Sequence, residues 1–118
     1  MAIELDKWII SAREGFAVGG EVLELLDETN ALMNVENLSA TMRILGFNRN
    51  EEFSTATGNF VIVPPLAPAT VPTAWEFKLT VAQVQALVNG NNQFEVLIAD
   101  ENDVLIGELS GAIDKKKQ

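Results

Sequence analysis

The sequence predicts an all-β protein, a sandwich of mainly antiparallel strands with one short helix near residues 80–88. Three observations carry this. Apolar and polar residues alternate at Leu38–Ile44 and Trp75–Leu79, and Phe94, Val96 and Ile98 share one face opposite Glu95, the signature of strands with one buried face. Clusters of Gly, Asn, Asp and Pro separate the apolar stretches at short intervals. Only one segment, starting at Thr80, carries a helix-start signal, with Gln83 at the capping-box spacing.

Taken in order, Trp8, Ile9 and Ile10 within the segment 3–12 read as an edge strand. Gly15, Gly19 and Gly20 then break regularity. Glu21–Leu26 follows as a strand that ends at the turn Asp27-Glu28-Thr29-Asn30. A helix also fits Val22, Leu23, Leu25 and Leu26, but so short a segment cannot hold a helix. The connection 31–37 is expected to give Leu32 and Met33 to the core, and Leu38, Ala40, Met42 and Ile44 form the buried face of the next strand.

After the polar loop tip 48–52, the Ser- and Thr-rich segment 53–58 reads as a weak edge strand. Phe60–Val63 is β-branched enough for a central one. Pro64, Pro65, Pro68 and Pro72 bar the next ten residues from a ladder interior, so they should cross the surface between the sheets or along an edge. Val81, Val84 and Leu87 place one apolar side on the helix, a lid over one end of the sheets. The strand Phe94–Ile98, the acidic turn Asp100-Glu101-Asn102-Asp103 and the strand from Val104 close the chain. Residues 1–113 form one domain in this reading, and 114–118 a short basic tail.

Composition excludes several classes of function. The chain has no cysteine and no histidine, which removes disulfides, thiolate metal sites and the commonest general base. A net charge of −9 repels phosphate backbones, so nucleic acid is not an expected partner. No apolar run approaches the ~20 residues of a membrane span. Met1–Asp6 lacks the start of a signal peptide, so the protein is expected to begin where the sequence does. The acidic turn at 100–103 offers oxygen ligands but not the spacing of a calcium loop, and Asp27 with Glu28 is the same case. Neither a catalytic carboxylate pair, a phosphate-binding glycine loop nor a nucleophile elbow stands out, so no enzyme, metal or cofactor is expected. Trp8 and Trp75 could form a ligand platform, yet Trp75 shares the buried face of Phe77 and Leu79, and core packing is the stronger reading.

Two stretches carry a resemblance. Glu21–Leu26, the acidic turn 27–30 and Leu38–Ile44 form the first. Leu79-Thr80-Val81-Ala82-Gln83, then Phe94 through Leu109, form the second. Their order resembles the immunoglobulin-like N-terminal domain of phage baseplate upper proteins and related tail or head accessory domains. The long proline-bearing connection departs from that pattern, as does Asn92-Gln93-Phe94 where tyrosines usually stand. The resemblance implies an immunoglobulin-like sandwich, made in the host cytoplasm and carried in the virion. Its implied role is structural, as a capsid decoration or a tail or baseplate adaptor that partners other virion proteins. A small carbohydrate- or peptide-binding module is the alternative. Unpaired edges are the expected contact surfaces, so a homo-oligomer or docked ring would use Trp8, Ile9 and Ile10 or the connection bearing Pro64, Pro65, Pro68 and Pro72.

Overall fold

The computed structural model describes residues 8–46 and 51–117. The strands are β1 (Trp8–Arg13), β2 (Val18–Glu24), β3 (Ser39–Ile44), β4 (Glu52–Ser54), β5 (Phe60–Ile62), β6 (Ala74–Leu79), β7 (Gly90–Ala99) and β8 (Leu105–Lys116), and the alternating stretches fall in β3, β6 and β7. The helix α1 (Val81–Ala86) lies between β6 and β7. Five strands run β1-β8-β7-β3-β4 in one sheet, and three run β2-β6-β5 in the other. This is the strand order of an immunoglobulin-like sandwich, without the inter-sheet disulfide or tyrosine corner of antibody domains, because the chain has no Cys and no Tyr. One pairing is parallel: β1 runs alongside β8, from Trp8 against Gly111 to Arg13 against Lys116.

Phe77, at the middle of the three-stranded sheet, organises the core. Its ring meets Trp8 of β1 at 5.8 Å, Phe53 of β4 at 6.5 Å and Phe60 of β5 at 5.0 Å between centroids. β1 and β4 are opposite edges of the five-stranded sheet, which would stand about 19 Å apart if it were flat. Both reach one ring, so the sheet curls around Phe77, as the twist of strands favours. Gly111 permits the closure on the β1 side. A Cβ there would collide with the Trp8 carbonyl oxygen and stand 2.7 Å from Phe94 Cζ.

Several expectations change. Gly19 and Gly20 do not precede β2 but lie within it, at a register shift between Val18 and Glu21 where Gly20 takes φ +81°. Leu32 is exposed and only bridges Leu26, Met33 is half-buried, and the fully buried residue of that connection is Val35. β5 is an edge strand rather than a central one, with Val61 and Ile62 both exposed. Of the two courses expected for the proline-bearing connection, the crossing between sheets is excluded and the edge remains, because it joins the edge strand β5 to its antiparallel neighbour β6 in the same sheet. Asp114, Lys115 and Lys116 are not a tail; they end β8, paired with β1. The expected loop tip at 48–52 lies partly outside the described residues.

The lid expectation holds in its capping. The Thr80 hydroxyl accepts from the Gln83 N–H at 3.1 Å, and the Gln83 side chain accepts from the Thr80 N–H at 2.9 Å. Val84 and Leu87 are buried beneath α1, whereas Val81 is exposed.

Candidate functional site

The leading aspartates of the two acidic turns, Asp27 and Asp100, are spent on the fold. Asp27 Oδ1 accepts from the Thr29 N–H at 2.8 Å, the Thr29 hydroxyl at 2.6 Å and the Ala31 N–H at 3.1 Å. Those bonds, the Thr29 hydroxyl first, hold its carboxyl below the usual carboxylate range. Asp100 Oδ1 closes the β7–β8 turn in the same way, accepting from Asn102 and Val104 N–H at 2.9 and 3.0 Å. Each acidic turn is therefore a side chain standing in for a backbone acceptor. Among the described residues no three His, Cys, Asp or Glu side chains gather as they would to hold a metal.

Buried polar side chains are likewise satisfied. Asn59 donates to the Lys78 carbonyl at 2.8 Å and to Gln83 Oε1 at 2.9 Å, tying β5 to the helix. Asn92 donates to the carbonyls of Val88, Gly90 and Ile113 and accepts from the Val88 N–H. Lys115, only 4% exposed, donates to the carbonyls of Gln85 and Leu87 at 3.2 and 2.7 Å, capping the end of α1.

The surface carries two clefts. An open cleft of about 450 Å³ lies between β5 and the start of β3, lined by Glu36, Leu38, Thr55, Phe60, Ile62 and Trp75. A second, of about 310 Å³, is bordered by Glu95 and Glu108 on β7 and β8. Trp75 is buried and Trp8 is packed edge-on against Phe77 and Phe94, so the two tryptophans form no shared platform.

The proposed contact residues separate. Ile9 is 53% exposed on the outer face of β1, while Ile10 is 0% exposed and its side chain has no surface to offer a partner. Pro64, Pro65 and Pro68 are exposed around Leu66, which is 85% exposed. Pro72 is buried, and its carbonyl accepts from the Val35 N–H at 3.0 Å. Sequence reasoning missed Ser11 and Arg13, which share the exposed face of β1 with Ile9; the alternation of that strand is the signal that reaches them. No family model, curated protein or solved structure matches the chain.

Proposed function

We propose that the chain is a non-enzymatic phage structural protein, a capsid decoration or a tail or baseplate adaptor, that docks on a larger virion assembly through its sheet edges and exposed loops. The observation that carries this reading is an immunoglobulin-like strand order in a chain whose buried polar side chains all have partners within the described fold. The exposed apolar residues at Ile9, Leu66 and Val71 then supply contact area, and the net charge of −9 opposes indiscriminate clumping. Co-sedimentation tests it: the purified protein, mixed with particles that lack it, should pellet with capsids or tails at a fixed stoichiometry. A protein that stays in the supernatant with every particle class overturns the reading.

The cleft beside β5 favours a second reading, a module that binds a carbohydrate or a peptide. A glycan-array signal without particle association would select it.

A further inference from the structure

An edge strand exposes the backbone groups it does not spend on its neighbour, and the four edges of this sandwich differ in how many they leave. In β4 the outward Ser54 is occupied, its N–H donating to Thr57 Oγ1 at 2.9 Å and its carbonyl accepting from the Asn59 N–H at 3.0 Å. β5 is three residues long, Phe60 is covered, and Pro64 and Pro65 follow closely. β2 is broken by its register shift, where the Gly20 N–H donates to Glu76 Oε2 at 2.8 Å. β1 carries none of these devices. Its six residues pair with β8 without irregularity. The Glu14 N–H donates to the Lys116 carbonyl at 3.0 Å, which fixes that Ile10, Ala12 and Glu14 bond toward β8. The backbone of Ile9 and Ser11 and the N–H of Arg13 therefore point off the sheet, and the side chains of all three are exposed.

We propose that this edge joins the same edge of a second copy of the chain, antiparallel across a twofold axis, so that two five-stranded sheets become one. Such an interface is self-complementary: with Ser11 opposite Ser11, Ile9 of each copy faces Arg13 of the other. Charge permits this margin. Most of a −9 protein repels its copy, but here Arg13 lies beside Lys116, with Lys117 next along the chain. In the paired arrangement no like charges face each other directly. Arg13 lies diagonal to Ser11 of the second copy, whose β8 partner is Asp114, so a carboxylate stands on the same face beyond that small side chain. Pairing along one edge covers less than a standard interface, so the dimer is weak and depends on concentration. The inference rests on the docking reading only for its premise that the chain associates.

Sedimentation velocity on the full chain, without particles, from about 10 µM to about 1 mM tests it. The wild type should pass from monomer to dimer across that range. Ser11→Pro removes an N–H that β8 does not use, so the protein should keep its circular dichroism spectrum and lose the dimer. Ser11→Lys sets two like charges opposite each other and should weaken association at least tenfold at low salt, with recovery at high salt. A wild type that stays monomeric, a folded Ser11→Pro that dimerises as the wild type does, or an unaffected Ser11→Lys each overturns the proposal. Because no particle is present, failure here leaves co-sedimentation to judge the docking reading separately.

Discussion

At the centre of the sandwich, Phe77 is held by the shapes of Trp8, Phe53 and Phe60, whereas beneath α1 three buried polar side chains, Asn59, Asn92 and Lys115, are held by hydrogen bonds. The two regions fail differently when altered. Loss of a ring leaves a void whose cost scales with volume, and loss of a polar group strands its partners without water to replace it. The centre sets which sheets pack, and the polar end sets where the helix sits.

The largest effect is expected at the centre. Phe77→Ala should cost about 3–5 kcal/mol in urea denaturation, because the ring is fully buried and its neighbours come from both sheets. Glu76, one residue away, faces outward, yet it is not idle: Oε2 accepts from the Gly20 N–H at the bulge, and Oε1 lies 3.7 Å from Lys78 Nζ. Glu76→Ala should therefore cost under about 1 kcal/mol, small because the groups are solvated, but not zero. Equal losses at the two positions would mean the core does not close around Phe77.

The polar end gives the intermediate effect. Lys115→Met keeps the apolar stem and removes the ammonium, which leaves the Gln85 and Leu87 carbonyls without that donor. Stability should fall by about 1–3 kcal/mol, and the amides of α1 should exchange faster than those of β7. Lys116→Met, on the exposed neighbour, is the control and should change little. An unaltered Lys115→Met would show that water can serve those carbonyls as well as the lysine does.

The contrast also explains which parts of the fold could be read in the sequence. Alternation exposes a one-faced strand, so Met42, Phe77 and Val96 are legible, and the Thr80/Gln83 pair marks the helix start by local chemistry. Lys115 is not legible. In the run Asp114-Lys115-Lys116-Lys117 it looks like one cation of a solvated tail, and only the distant carbonyls of α1, brought close by the fold, make it an interior group. The length of β8 was hidden for the same reason, since Gly107 and Gly111 resemble turn residues until Trp8 packs against Gly111. At the candidate surface, Ile9 was legible as an apolar residue on an edge. That β1 runs parallel to β8, and hence which backbone groups it leaves outward, depends on pairing between chain ends that periodicity does not encode.

The smallest effect lies outside both regions and sharpens the comparison by showing hydrogen bonds at work in water. Asp27 is half-exposed, and its carboxylate accepts from Thr29 and Ala31, which lowers its pKa. A carboxyl whose folded pKa lies below its unfolded value contributes stability that is fully present above the unfolded pKa. That contribution fades as pH falls through the folded pKa. The melting-temperature difference between wild type and Asp27→Ala should accordingly be small and constant near neutrality, then shrink as pH drops below about 4. Asp27→Asn, which keeps an acceptor oxygen but not the charge, should fall between the two at neutral pH. A difference that grows on acidification would reverse the sign and place the stabilisation in the protonated turn. If instead the difference is flat across the acid range, the turn is held by its backbone bonds, Asp27 N–H to the Ala31 carbonyl at 2.9 Å and Asn30 N–H to the Asp27 carbonyl at 3.0 Å, with the side chain a bystander.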